Sequence, residues 1–157
     1  MKILVLSDSH GNYGNMVRAV EQEQPRMIFH LGDGWRDAQR LEGQFPQIPL
    51  EQVPGNCDFL RKEPAERLIA VKGKRFLLCH GHTMGVKYSL GQAAEKAREL
   101  DLDMFLFGHT HTPLVDRQGK TWFFNPGSIG EFRPSYGVIM IDEAGGGLDA
   151  RTVLLNG

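Results

Sequence analysis

Short apolar runs, most of them closed by a polar donor, recur along this chain. Residues 2–7, 26–31, 48–53 and 103–107 read as strands, since buried strands are nearly continuous apolar runs of about four to eight residues. Segments 66–71 and 75–79 flank Gly73 and read as a hairpin. Helical spacing appears between them. Residues 15–24 place Met16, Val17 and Val20 on one face before Pro25 closes the helix, after a turn at Gly11, Asn12 and Gly14. Residues 35–43 predict a short helix, and 89–100 sets Leu90, Ala93, Ala94, Ala97 and Leu100 on one face. Past residue 107 the pattern changes. Segments 113–117, 121–125, 136–142 and 148–154 read as strands with no helix between them, the last two joined by a turn at Gly145–Gly147. A βαβαβ order followed by antiparallel strands predicts an α/β fold: a two-sheet sandwich of mixed strands flanked by helices, in a single domain over residues 1–157.

Composition narrows the class. An apolar fraction of 41% and a charged fraction of 24% are those of an ordinary globular chain. The formal net charge is -1. Arg61-Lys62 and Lys72-Gly-Lys74-Arg75 are short and read as solvated turns, so nucleic acid is disfavoured as the main partner. No apolar stretch approaches the ~18 residues of a membrane span, and Met1 leads straight into a strand. No membrane association and a cytoplasmic location are therefore expected. Cys57 and Cys79 are too few for a disulfide framework and read as reduced thiols.

The strand ends carry the chemistry. Asp8 and His10 follow the first run, Asp33 the second and Asn56 the third. His80 follows the hairpin, and His109 and His111 follow the run at 103–107. In open α/β sheets, ligands bind beyond the carboxyl ends of the strands. One Asp or His there is ordinarily a cap or turn former. The set of donors at five strand ends, with Asp-x-His and His-x-His each closing one loop, reads instead as a two-metal site. Carboxylate, amide and imidazole donors without thiolate suit manganese, iron, nickel, zinc or magnesium.

The series Asp8-Ser-His10, Gly32-Asp33, Gly55-Asn56-Cys57-Asp58, Cys79-His80-Gly81-His82 and Gly108-His109-Thr110-His111, followed by Asn125-Pro126-Gly127-Ser128, resembles the calcineurin-like metallophosphoesterase superfamily. More closely, it resembles the small bacterial and archaeal phosphodiesterases of the YfcE type. The resemblance implies two divalent metal ions, manganese first, sharing one carboxylate. Asp8, His10, Asp33 and His111 would hold one, and Asp33, Asn56, His80 and His109 the other. A carboxylate has two oxygens and can bridge, whereas an imidazole or a neutral amide ordinarily takes one metal. Two carboxylates offset half the charge of two divalent ions, and a bridging hydroxide leaves about +1, which favours an anionic phosphoryl group. The implied reaction is hydrolysis of a small phosphoester, most simply a phosphodiester, by attack of that hydroxide. Self-association is also implied, since family members often form homo-oligomers.

Cys57, Asp58 and His82 are the candidate catalytic residues beside the metals. Many superfamily members carry His where this chain has Cys57, and a thiol of pKa ~8.5 is a poor proton donor. Cys57 therefore reads first as a space-filler and second as a catalytic thiol. His82, two residues past His80, is the candidate acid, with a loop hydrogen bond as its other reading. Asp58 would orient an imidazole or cap the next segment. His30, inside a strand, reads as a hydrogen-bonded core residue. Asn12 and Asn125 read as turn formers or phosphate contacts, and Arg133 as an exposed side chain or a phosphoryl clamp. Trp35 is expected at the mouth of the site, Phe123 and Phe124 in the core, and Trp122 in either. Two rival functions share the fold. A protein-binding scaffold such as Vps29 has lost part of the metal constellation, and a nuclease of the Mre11 type carries capping domains and the missing His.

Overall fold

A computed structural model describes residues 1–59, 62–144 and 146–155. Arg61 and Gly145, assigned above to turns, lie outside the described residues. The strands form two five-stranded sheets. The first contains β1 (Lys2–Leu6), β2 (Met27–His30), β3 (Leu50–Gln52), β9 (Ser135–Ile141) and β10 (Leu148–Leu154), in the order β10-β9-β1-β2-β3. The second contains β4 (Glu66–Val71), β5 (Lys74–Cys79), β6 (Met104–Leu106), β7 (Leu114–Gln118) and β8 (Thr121–Asn125), in the order β4-β5-β6-β8-β7. Three helices accompany them: α1 (Tyr13–Glu23), α2 (Trp35–Gln44) and α3 (Gly91–Leu100).

Strand periodicity explains the layering. Ile3 and Val5 of β1 point into a core shared with Phe76 and Leu78 of β5, Leu106 of β6 and Phe124 of β8. Leu4 and Leu6 point the other way, onto Met16, Ala19 and Val20 of α1 and Leu41 of α2. Leu77 and Cys79 likewise leave the shared core and meet Ala93 and Ala97 of α3. Side chains of a strand alternate between faces, so the sheets pack on each other and carry helices on their outer faces. That is the two-sheet sandwich of mixed strands expected from the sequence.

The second sheet has a parallel centre and antiparallel edges, whereas the first is antiparallel on one side only and ends in the parallel strand β3. β1, β2 and β3 run parallel, as do β5, β6 and β8. β9 returns antiparallel to β1, while β4 and β7 pair antiparallel with β5 and β8. Lys72 and Gly73 close the β4–β5 hairpin with φ of 51° and 80°. Two positive φ values in a two-residue loop are the type I′ geometry that matches strand twist. Helix α1 begins two residues before the sequence reading, because the Asn12 side chain accepts from the Asn15 N–H and caps it. A short 3-10 helix (His82–Met84) also follows β5, where the sequence shows no helical period.

Candidate metal centre

Six parallel strands end on one side of the sandwich, and five of their ends deliver the predicted donors. Backbone bonds join the loops: Asp8 N–H to Gly32 O at 2.9 Å, His10 N–H to Asp33 O at 3.1 Å, and Gly108 N–H to His80 O at 2.9 Å. Asp8, His10, Asp33, His109 and His111 all have positive φ, from 44° to 70°. Such values are uncommon outside glycine, and strained residues cluster at functional sites.

Asp8 and Asp33 share a division of labour. Asp8 Oδ2 accepts from the Ser7 hydroxyl and from the His109 N–H (3.1 Å). Its Oδ1 lies 3.1 Å from His111 Nε2, 3.7 Å from His80 Nε2 and 3.9 Å from His10 Nε2. Asp33 Oδ1 accepts from the Cys57 N–H (2.8 Å), while Oδ2 lies 3.3 Å from His80 Nε2 and 3.7 Å from His10 Nε2. One oxygen of each carboxylate is tethered and the other faces imidazole nitrogens. Asp8 Oδ1 and His80 Nε2 are buried with no hydrogen-bond partner. Burial opposes ionisation of Asp33, but His80 and the Cys57 N–H outweigh it and hold its carboxyl well below the usual range. Burial also opposes charging of His80, yet the two carboxylates outweigh it and push its pKa up.

Three groups of ligand atoms lie within 4.8 Å of one another: Asp8, His10 and His111; Asp8, Asp33 and His80; and His10, Asp33 and Cys57. His109 stands beside them, its ring centroid 5.0 Å from that of His80. Asn56 is exposed, and its amide donates to Cys57 Sγ at 3.7 Å. A division into two sets that separates Asp8 from His80 is thus not apparent in these distances, since Asp8 Oδ1 faces imidazoles of both.

Orientation of the imidazoles comes from their other nitrogens. His80 Nδ1 donates to Leu31 O at 2.8 Å, so in the neutral ring Nε2 is the lone-pair nitrogen. His111 Nδ1 donates to the Glu131 carboxylate with the same result. Glu131 is absent from the sequence reading. Its only signal there is its place three residues after Asn125-Pro126-Gly127-Ser128. That motif braces the site: Asn125 Nδ2 donates to Gly108 O (3.1 Å) and Thr110 Oγ1 (3.0 Å), and the Ser128 hydroxyl donates to Asp8 O (2.8 Å).

Among the described residues, Asp58 has no hydrogen-bonded imidazole. Its Oδ2 accepts from the N–H groups of Asp33 (2.7 Å) and Gly55 (2.8 Å), and its Oδ1 from Gly34 (3.1 Å) and Trp35 (3.0 Å). Its carboxylate neither orients an imidazole nor caps the segment that follows it; it sits at the N-terminus of the earlier helix α2, where anions are stabilised. Gly55 is needed beside it, because a Cβ there would lie 2.2 Å from Asp33 Oδ1. Cys57 gives its backbone N–H to Asp33, and burial together with the Asp33 charge pushes its thiol pKa up. His82 packs 5.5 Å from His80 between ring centroids, and burial and the His80 charge lower its pKa.

His30 is fully buried, bonded to Ser9 Oγ (3.1 Å) and the Gly32 N–H (3.2 Å), with burial lowering its pKa to about 4. Asp37, another residue the sequence reading passes over, accepts from Ser9 Oγ (2.7 Å) and the Gly11 N–H (2.8 Å), which fixes the loop carrying His10. Arg133 is exposed. Trp35 lines the cavity beside Asp33, Phe123 and Phe124 are in the core, and Trp122 packs at the edge of the shared core.

Carboxylates and imidazoles gathered at the strand ends of a two-sheet α/β sandwich define a metal-binding phosphoesterase fold. The chain belongs to the calcineurin-like phosphoesterase superfamily, whose domain model matches residues 1–144. It is similar to the probable metallophosphoesterase YsnB of Bacillus subtilis, 32% identical over 132 residues that cover 82% of this chain and 75% of the relative. Its likeness to the phosphodiesterase YfcE of Escherichia coli is 30% identity over 170 residues, covering 88% and 87% of the two chains. Vps29 of Entamoeba histolytica, crystallised with zinc, shares the fold with a TM-score of 0.74 at 19% identity, over 99% of this chain and 100% of that one. Among the described residues, no helix is long and apolar enough to cross a membrane.

Proposed function

We propose that this phosphoesterase is a phosphodiesterase of small substrates that works with two divalent metal ions. The carrying observation is the pair of buried atoms without a hydrogen-bond partner, Asp8 Oδ1 and His80 Nε2, which face only the other carboxylate and imidazole groups at the meeting point of the strand ends. Leaving buried polar atoms unpaired costs about 1–3 kcal/mol each, and a bound cation removes that cost. The family likeness supports a two-ion assignment in which Asp8, His10, Asp33 and His111 would hold one ion and Asp33, Asn56, His80 and His109 the other; of these, Asp8, His10, Asp33, His80 and His111 have donor atoms in the close groups. Bound divalent ions supply charge that draws a phosphoryl group and a nucleophilic water near neutral pH.

The chain does the rest. Asp33 joins the two halves, since Oδ2 faces both His10 and His80. Leu31 O and Glu131 keep Nε2 of His80 and of His111 available as lone-pair donors. His82 is the candidate proton donor to the leaving group. Its lowered pKa leaves it neutral at pH 7, and an approaching phosphoryl anion favours its protonation. Cys57 is exposed rather than packed, and its backbone N–H tethers Asp33.

Metal-stripped protein reconstituted with manganese, nickel, iron, zinc or magnesium, and assayed on monoesters and diesters, tests this reading. The expected result is metal-dependent hydrolysis with diesters preferred. Asp33→Ala is expected to lose bound metal and turnover together, and full metal-dependent turnover in that variant would overturn the assignment. Hydrolysis with none of the ions would favour a scaffold of the Vps29 kind, against which the filled donor positions argue.

A further inference from the structure

A cavity of about 340 Å³ opens beside His10 and Asp33. Its walls are the first turn of α2, from Gly34 to Asp37, and the loop from Cys57 to Phe59. The volume is at the low end for ligand clefts, and suits one ring system with a small linker. Phe59 stands at its rim 78% exposed, a large aromatic face left in water. Trp35 is buried and makes an apolar wall. Beside Asp33 the lining has two further carboxylates: both Asp58 oxygens hold backbone N–H groups, and Asp37 Oδ2 holds Ser9 and Gly11. Arg36 is exposed, with no hydrogen-bond or ion-pair partner among the described residues.

We infer that this cavity is the subsite for the organic group of the ester, and that it takes a nucleobase stacked on Phe59 with ring acceptor atoms toward Arg36. The assignment rests on the metal-centre reading, because the phosphoryl group must be anchored at Asp33 and His10 for its substituent to enter here. A free cation beside an exposed aromatic face selects a planar ring that carries hydrogen-bond acceptors. An aliphatic substituent would satisfy neither. Stacking of a base on an aromatic side chain contributes a factor of about five to a hundred in affinity.

Three competitors of diester hydrolysis by the metal-loaded protein separate the terms: inorganic phosphate, phenyl phosphate and adenosine monophosphate, with calorimetric binding as a second readout. The expected order is adenosine monophosphate, then phenyl phosphate, then phosphate, with at least about fivefold between the first and last. Phe59→Ala is expected to bring the three together while phosphate still binds. Arg36→Ala should erase only the margin of adenosine monophosphate over phenyl phosphate. Tyr88→Ala, removing a still more exposed aromatic outside the cavity lining, is the control that keeps the order. Phosphate binding with no gain from a ring, or a margin that survives Phe59→Ala, overturns the subsite. Phenyl phosphate equal to adenosine monophosphate overturns the nucleobase assignment and the role of Arg36. Failure of phosphate itself to bind is a different result, which sinks the metal-centre reading and the subsite with it.

Discussion

His80 and His111 aim Nε2 at the same atom, Asp8 Oδ1, from 3.7 and 3.1 Å, yet they are held by different means. His80 is fully buried and takes its orientation from a backbone carbonyl, Leu31 O. His111 is 32% exposed and takes its orientation from the side chain of Glu131, itself half exposed. A backbone acceptor survives substitution of its own residue, whereas a carboxylate can be removed by one change. Asp8, Asp33 and His80 thus form a floor whose geometry belongs to the fold. His10, His111 and Glu131 form a rim whose geometry depends on particular side chains.

Acid is the strongest way to probe the floor. His30 supports it through Ser9 and is kept neutral by burial, with a pKa of about 4 against an ordinary 6.5. Between those values the unfolded chain binds a proton that the folded chain refuses. Its contribution, on the order of 3 kcal/mol, is complete above pH 6.5 and disappears as the pH falls to about 4. Denaturant midpoints of the wild type should drop across that window, and His30→Gln should flatten the slope. An unchanged slope in the variant would show that the floor does not titrate through this group.

A smaller effect should separate the rim. Glu131→Gln is expected to weaken metal binding about 10- to 100-fold, the usual cost of losing a partner behind a ligating imidazole. Folding stability should move by no more than about 0.5 kcal/mol, because the carboxylate is exposed. Metal titration and thermal melting on the same sample check both halves. A variant that melts early and binds metal normally would erase the contrast between the two histidines.

The smallest effect concerns His82, which belongs to neither group. His82→Ala should slow esters with poor leaving groups about tenfold more than activated aryl esters, the signature of a lost proton donor. Equal slowing of both series would reject that role and leave His82 as packing between the His80 and His109 rings.

The local pattern made the strands, the helices and the donors readable, because apolar runs, helical spacing and the residues at strand ends are all short-range signals. Sheet order is not local. β9 comes back to lie beside β1, pairing Lys2 with Met140, and β8 joins β6 in parallel across the excursion through β7. Nothing in a window of ten residues announces either pairing. The partners of the supporting residues escaped for the same reason. Glu131 meets His111 from 20 positions away, and Asp58 caps a helix that begins 23 positions before it. A carboxylate in a polar loop looks alike in sequence whether it points to water, to an imidazole or to four amides.

The left-handed backbone at Asp8, His10, Asp33, His109 and His111 has a consequence for anyone who tries to improve this protein. Each such residue pays on the order of 1 kcal/mol for its conformation. Glycine at these positions would relax the chain and remove the donor in the same step. Selection for heat resistance alone would therefore drift toward a sturdier, silent relative, with the sandwich intact and its chemistry gone.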